Sequence, residues 1–330
     1  MTMINDILSL PEQLRWGTGL DLEPLQTEGP IVLLGMGGSA MAATVATLAA
    51  TPRVPLVIHR DYGLPDWAAD GGASVIAVSY SGNTEEVLSG VDRAISEGLP
   101  IAAVASGGRL ADIAADRGLP FVGVPGGLQP RAGVGFQTAA VAAMLAAAGQ
   151  ISSVSRDLEE AADTVERLLD GGDGGAFALG RDIATGLRNR TAVIYGGRGV
   201  GATAAYRWKT QINENAKCPA FSGTVPEMNH NELEGWRPEA SEGFGLIYLR
   251  DSEDHPAVAR RLDLSGTVLF GKVGRVGEIR SAGTKALARF FSLAVVGDVA
   301  SVFMAEDAGV DPVPVATLEE FKVMLAKGTP

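Results

Sequence analysis

The chain has 330 residues, which predicts about two domains at roughly 150 residues each and leaves enough material for sizeable cores. Apolar residues make up 46% of the chain and charged residues 20%, a globular composition that excludes wholesale disorder. The formal net charge of −12 argues against a nucleic-acid or anionic-membrane surface, although it is compatible with a small local pocket for an anion.

The cysteine content and the N-terminus indicate the compartment. Cys218 is the one cysteine, so the chain can form neither an intrachain disulfide nor a cysteine-based zinc cage, which favours a reducing compartment. The N-terminus carries Asp6 and Glu12 among its apolar residues and does not read as a signal peptide. The apolar stretches 40–50 and 138–149 are shorter than the roughly 20 residues that span a bilayer, so we interpret them as buried helices. We therefore expect a soluble, cytoplasmic protein with no membrane partner.

The first half of the chain alternates short apolar runs with helical stretches. Continuous apolar runs of this length are typical of strands buried in a parallel sheet. Their alternation with helices predicts βαβ units and a doubly wound α/β sheet with helices on both faces. The runs lie at 31–35, 54–59, 73–80, 99–105 and 119–124.

The second half repeats this plan. An amphipathic helix follows residue 154, and the segment 191–209 then repeats the strand, glycine-rich turn and small-residue helix that begin at residue 30. The apolar runs 244–250 and 266–271 are predicted to be further strands of a second sheet. We predict two α/β domains, at 1–152 and 153–330.

Two strand-to-helix turns in the first half are candidate binding sites. In the first, Gly38 and its neighbouring glycines let the backbone approach a ligand and Ser39 can cap the helix, although the same glycines also suit tight packing alone. The spacing differs from the G-x-G-x-x-G pattern of dinucleotide-binding proteins.

The second turn, "SYSGNTEE", places the hydroxyls of Ser79, Ser81 and Thr84 at a helix start, where unpaired N–H groups bind anions. Such a nest suits a phosphate monoester. The alternative is that Thr84 is simply an N-cap followed by acidic residues.

Together these motifs resemble the bifunctional phosphoglucose/phosphomannose isomerase family of sugar isomerase (SIS) domain proteins. The similarity extends from about residue 30 to the C-terminus. The segments that carry it are "GMGGSAMAA" (35–43), "DYGLP" (61–65), "SYSGNTEE" (79–86), "PRAGVGF" (130–136) and "INENAKCPAFSGTVPEMNHNELEGW" (212–236).

The resemblance implies two SIS-type domains and an aldose–ketose isomerase that interconverts glucose 6-phosphate, and also mannose 6-phosphate, with fructose 6-phosphate through a cis-enediolate. It implies Glu214 as the base that moves the proton, Arg131 as the cation beside the enediolate, and His230 with Lys322 for ring opening. It also implies a homodimer without metal or cofactor. The implied phosphate ligands are Gly38, Ser39, Ser79, Ser81 and Thr84.

Other interpretations stay open. Glu214 could be a solvated charge at a helix end, and Lys322 could line an exposed helix face. The threonine that family members place before the lysine to admit mannose phosphate has no clear counterpart among Val313, Val315 and Thr317, so another sugar phosphate could be the substrate. The chain could instead be a non-catalytic sugar-phosphate sensor, although it shows no basic DNA-binding segment. An aminotransferase-type domain would need a glutamine-hydrolysing region, for which the N-terminal cysteine is missing.

Overall fold

The computed structural model describes residues 2–23, 25–27 and 29–326, and its first half folds around a parallel sheet. The strands are β1 (Ile31–Leu34), β2 (Leu56–His59), β3 (Ser74–Val78), β4 (Ile101–Ala105) and β5 (Phe121–Gly123). They pair in parallel in the order β2-β1-β3-β4-β5. The direction of winding reverses between β1 and β3, and open α/β sheets bind ligands at the carboxyl ends of strands at such a point.

Helices cover both faces of this sheet because successive side chains of each strand point to opposite sides. Ile31 and Leu33 of β1 belong to one apolar cluster, whereas Val32 and Leu34 belong to another. The first cluster is closed by α3 (Gly37–Ala46) and α6 (Val134–Ala147), and the second by α4 (Glu85–Ser96) and α5 (Gly108–Arg117). The predicted doubly wound arrangement is confirmed.

The second half contains a four-stranded parallel sheet built in the same way. Its strands are β6 (Thr191–Gly197), β7 (Ala220–Val225), β8 (Phe244–Arg250) and β9 (Arg275–Arg280), in the order β7-β6-β8-β9. Its helices are α8 (Ala176–Gly186), α9 (Val200–Gln211), α10 (Glu232–Gly235), α11 (Pro238–Ser241), α12 (Pro256–Leu269) and α13 (Ala286–Ala308). Ala192 and Ile194 of β6 face the cluster that holds α8, α9 and α13, while Val193 and Tyr195 face α12. The prediction of a second α/β sheet is confirmed.

The predicted strand at 266–271 is wrong, because these residues form the last turn of α12 and the loop after it. Leu262 and Leu269 lie two helical turns apart and are both buried against the sheet, so helix packing takes up the apolar residues of this segment. The strand lies instead at β9, whose sequence "RVGEIR" interrupts the apolar pattern with charges.

Helix α13 is a long, buried helix. It is 23 residues long and apolar enough to cross a membrane by length and composition, yet 94% of its 18-residue apolar stretch is buried inside the protein. It packs against α8, α9 and α7 (Ser155–Leu169). This burial makes it a core helix.

The ends of the described chain differ in how they pack. Helices α1 (Met3–Leu8) and α2 (Leu10–Trp16) each bury one side. Helix α2 packs against α7, although the two helices lie on opposite sides of the predicted domain boundary in the sequence. The domain boundary at 152 therefore stays a prediction. Helix α14 (Ala316–Ala326) is exposed from residue 316 to residue 325, including the large apolar residues Leu318, Phe321 and Met324.

Candidate active site

The hydroxyl-rich turn joins the carboxyl end of β3 to the start of α4, as predicted. The hydroxyl oxygens of Ser79 and Thr84 are 2.8 Å apart, and Ser81 lies exposed between them, its Oγ accepting from the backbone N–H of Asn83. The turn is tight at Gly82, which has φ +69°; a Cβ there would lie 1.8 Å from the carbonyl oxygen of Gly107. The chain therefore needs glycine at this position to bring the hydroxyls together.

Thr84 occupies the N-cap position of α4, but its side chain makes no capping hydrogen bond. Its hydroxyl pairs with Ser79 instead. The interpretation of Thr84 as an N-cap is thus correct about its position at the start of α4, but its side chain does not make the capping hydrogen bond. The first-turn N–H groups that a capping side chain would satisfy are left for another acceptor.

The glycine turn lies next to the hydroxyl-rich turn, after β1. Ser39 sits inside the first turn of α3, whose N-cap residue is Met36, so the expectation that Ser39 caps the helix is wrong. Its buried hydroxyl donates to Gln137 Oε1 at 2.7 Å and accepts from the backbone N–H of Tyr80 at 3.1 Å. In this arrangement Ser39 supports the hydroxyl-rich turn from behind.

Close packing ties these turns to the loop that carries Arg131. A Cβ on Gly38 would lie 3.0 Å from the carbonyl oxygen of Pro130 and 3.1 Å from the backbone nitrogen of Arg131. A Cβ on Gly133 would lie 2.7 Å from the ring of Tyr80. Arg131 is therefore fixed at the switch point of the first sheet.

The Arg131 side chain is only 3% exposed and is bound by groups from the second half of the chain. Its Nε donates to Asn215 Oδ1 at 2.8 Å, and its Nη2 donates to the carbonyl oxygens of Pro312 and Val313 at 2.8 and 2.9 Å. Burial lowers the pKa of Arg131, and the nearby Glu214 carboxylate offsets this only in part. The side chain still keeps its charge at any physiological pH, as arginine does in proteins. The guanidinium is a fixed cation.

Glu214 is brought to this cation by an irregularity in α9. The helix ends at Gln211 and continues as a π-helical turn, Ile212–Ala216, a feature that often marks functional sites. Glu214 Oε2 lies 3.4 Å from Arg131 Nη1, and the glutamate side chain is 28% exposed. The carboxylate is thus both paired with the cation and accessible to a ligand.

Lys217, which was not singled out from the sequence, closes the π turn. It adopts a left-handed conformation with φ 56°, and its Nζ donates to the carbonyl oxygens of Glu214 and Pro314. Burial lowers its pKa, as does the charge of Arg131. In the sequence, the one signal for Lys217 was its place directly after "NENA". The sequence alone does not reveal that the carbonyl groups of Glu214 and Pro314 converge on it.

The structure does not bring the other two candidate catalytic residues to this pair. His230 is exposed on a 3₁₀ turn (Glu227–His230) beyond the carboxyl end of β7, and Lys322 is exposed on α14. Within the described part of the chain, neither forms a hydrogen bond or ion pair with Glu214 or Arg131. In the same residues, no group of three or more histidine, cysteine, aspartate or glutamate side chains could hold a metal ion.

Comparisons with known proteins identify the family of the chain. A family model described as "Bacterial phospho-glucose isomerase C-terminal SIS domain" matches residues 178–325. The bifunctional phosphoglucose/phosphomannose isomerase of Caldicellulosiruptor bescii is 34% identical, over 98% of this chain and 99% of that protein. The protein of the same name from Aquifex aeolicus is 36% identical, over 90% of each chain. A hypothetical protein from Thermus thermophilus has a similar structure, with a TM-score of 0.76 at 15% identity, covering 98% of this chain and 90% of that one.

The two parallel sheets and the hydroxyl-lined turn define a protein of the SIS class. Within that class, the identity over nearly the whole chain is decisive: the chain belongs to the bifunctional phosphoglucose/phosphomannose isomerase family.

Proposed function

We propose that the protein interconverts glucose 6-phosphate and mannose 6-phosphate with fructose 6-phosphate, by moving a proton between C1 and C2 through a cis-enediolate. The observation that carries this proposal is the accessible carboxylate of Glu214, 3.4 Å from the buried cation of Arg131. It is supported by the names of the relatives that the chain matches along its length.

In this proposal Glu214 takes the proton from one carbon and returns it to the other, as a general base and then a general acid. Its partial exposure supports the assignment, because a base must reach the substrate carbon.

Arg131 stabilises the negative charge that develops on the enediolate oxygens. Its Nη1 is the group suited to this, since among the described residues it contacts only Glu214 and Gln129, both at the long distance of 3.4 Å. The other guanidinium nitrogens are held by bonds of 2.8 to 2.9 Å. A fixed cation with one loosely bound NH₂ group can stabilise charge without reorganising.

The phosphate of the substrate binds at the turn between β3 and α4, where the hydroxyls of Ser79, Ser81 and Thr84 meet the N-terminus of α4. The helix dipole and the uncapped N–H groups favour a dianion there. Gly38 allows the close packing behind the site, and Ser39 takes part through its bond to the Tyr80 N–H.

His230 and Lys322 complete the site for ring opening in a homodimer, in which a second copy covers exposed surfaces of the first. The exposure of His230 and of apolar residues on α14 such as Phe321, which is 61% exposed, supports this arrangement. We place the protein in the cytoplasm, on the basis of its lone cysteine.

A substrate panel tests the proposal. Purified protein is assayed with glucose, mannose, glucosamine and pentose phosphates, by coupled detection of fructose 6-phosphate or of the matching ketose. The proposal predicts turnover of glucose 6-phosphate and mannose 6-phosphate. Binding of these phosphates without turnover would support the sensor alternative, and turnover of a different phosphate alone would correct the substrate.

A further inference from the structure

A closed ring of buried hydrogen bonds lies behind the Glu214–Arg131 pair, formed largely by residues that the proposed chemistry does not use. It links the π turn, α9 and α13 to the loop that carries the arginine. Starting from Arg131 and returning to it, the ring passes through Asn215, Ser301, Asp298 and Arg207. All five side chains are buried.

The orientation of the Asn215 amide follows from the single proton of Ser301. The Ser301 hydroxyl donates to the backbone carbonyl of Asp298 at 2.7 Å, so toward Asn215 it can only accept. Asn215 Nδ2 donates to it at 2.9 Å, which leaves Asn215 Oδ1 to accept from Arg131 Nε at 2.8 Å. The reverse orientation would place two donors face to face, so the ring selects one position for the amide.

The other side of the ring holds the main chain of Arg131. Arg207 donates to the Arg131 carbonyl oxygen at 3.3 and 3.4 Å, and to Asp298 Oδ2 at 2.7 Å. The side chains of Arg207 and Asp298 are both 3% exposed, and separating a buried ion pair is costly because it leaves a buried charge uncompensated. Asn215 bonds the side chain of Arg131 and Arg207 bonds its backbone, and both of these residues are anchored on the same helix, α13.

We propose that Asn215 is a positioning residue that directs the Arg131 guanidinium, so that Nη1 faces Glu214 and the reacting carbons. Asn215 follows Glu214 directly in the π turn, so one turn presents the base to the substrate and holds the cation that serves it. This inference rests on the proposed function. It adds a residue that touches no substrate and acts through Arg131.

The test compares Asn215→Ala with a control in the same turn, Asn213→Ala. Asn213 Nδ2 donates to the Cys218 carbonyl at 2.8 Å, a bond that lies outside the ring that holds Arg131. We expect Asn215→Ala to lower kcat for glucose 6-phosphate by about 10²-fold, the usual scale of misplaced catalytic groups. KM should change by less than about threefold, because the phosphate site lies on another element. Asn213→Ala should keep kcat near the wild-type value.

Ser301→Ala provides a second, milder variant if Asn215→Ala fails to fold. It removes the acceptor for Asn215 Nδ2 and leaves the bond to Arg131 in place, so we expect a kcat loss of about tenfold. The double variant Asn215→Ala/Ser301→Ala should lose no more kcat than Asn215→Ala alone, because both act through one ring.

Retention of kcat in Asn215→Ala, or an equal loss in Asn213→Ala, would overturn the inference while leaving the proposed function standing. Wild-type protein inactive on every phosphate would instead defeat the proposed function. A crystal structure of Asn215→Ala decides the inference in that case too. We expect the Arg131 guanidinium to leave its position by more than about 1 Å, and an unmoved guanidinium would contradict the positioning role.

Discussion

At the residue scale, the proposed chemistry depends on a carboxylate and a guanidinium that lie 83 positions apart in the chain. Arg131 is held by short bonds on two of its three nitrogens, whereas Glu214 is partly exposed and has one long contact with it. The rigid partner is the cation, and the accessible partner is the proposed base. This division suits a reaction in which charge develops next to the cation while a proton moves.

Glu214→Gln should leave the fold intact and lower kcat by at least about 10²-fold, the usual contribution of a general base. The amide keeps the size of the side chain but cannot take a proton. Steady-state kinetics with glucose 6-phosphate measure the effect, with Glu239→Gln on α11 as an exposed control. Near-wild-type turnover in the Glu214→Gln variant would show that Glu214 is not the base.

Ser81→Ala combined with Thr84→Ala should raise the KM for glucose 6-phosphate far more than it lowers kcat, because in the proposed site these hydroxyls bind the phosphate equally in the ground and the transition state. Ser96→Ala, at the opposite end of α4, serves as the control. An unchanged KM in the double variant would place the phosphate elsewhere.

At the element scale, α13 connects the parts of the molecule that the site needs. It supplies Asp298 and Ser301 to the ring behind Arg131, and its start is capped from α7. Glu160 Oε1 accepts hydrogen bonds from the Thr284 backbone and hydroxyl and from the Lys285 backbone, just before α13 begins. A negative charge at the start of a helix also interacts favourably with the helix dipole.

We expect this cap to make the stability of the protein depend on pH. Burial raises the pKa of Glu160, but the hydrogen bonds from Thr284 and Lys285 outweigh burial and hold the pKa below its ordinary value. Because the folded-state pKa is lowered, the stabilisation is fully present above the ordinary glutamate pKa of about 4.3 and is lost as pH falls through the folded-state value.

Glu160→Gln should therefore lower Tm at pH 7, and the difference from the wild type should shrink below about pH 4. Thermal unfolding across this pH range measures it, with Glu253→Gln in an exposed loop as the control. A Tm difference that does not depend on pH would show that the charge of Glu160 is not what matters.

The elements differ in how far the sequence predicts them. The inner strands β1, β3 and β4 were predictable because both of their faces are buried and each reads as one apolar run. Edge strand β9 was missed because it carries charges, and the apolar residues of 266–271 were assigned to a strand although they end α12. Helix α13 lacks an amphipathic pattern, since nearly all its sides are buried.

The site was less predictable than the fold. The hydroxyl-rich turn follows from local chemistry, and the structure places it as expected. The expectation that Arg131 and Glu214 belong to one site came only from the family resemblance, because contacts across 83 residues leave no local pattern. The roles of Asn215 and Lys217 depend on where carbonyl and amide groups converge after folding, which composition and spacing do not reveal.

At the scale of the whole molecule, the two halves meet at the candidate site, with the hydroxyl-rich turn and Arg131 in the first half and Glu214 in the second. The exposed positions of His230 and α14 lead us to expect that the active unit contains two chains. Sedimentation equilibrium at low concentration should give a dimer, and a monomer that is fully active would contradict this expectation.

Mixing Glu214→Gln with His230→Ala subunits tests whether His230 serves the neighbouring chain. If it does, each mixed dimer has one intact site, and exchange should restore roughly a quarter of wild-type activity, since half of the dimers are mixed. Two inactive variants that stay inactive after verified subunit exchange would confine His230 to its own chain.

The most direct test of the account is a crystal structure of Glu214→Gln with fructose 6-phosphate, in which turnover is blocked. The account predicts the phosphate within about 3 Å of the Ser81 and Thr84 hydroxyls. C1 and C2 should face the side chain at position 214, and the oxygens on these two carbons should face Arg131 Nη1. A phosphate bound away from the β3–α4 turn, or sugar carbons remote from position 214, would contradict it.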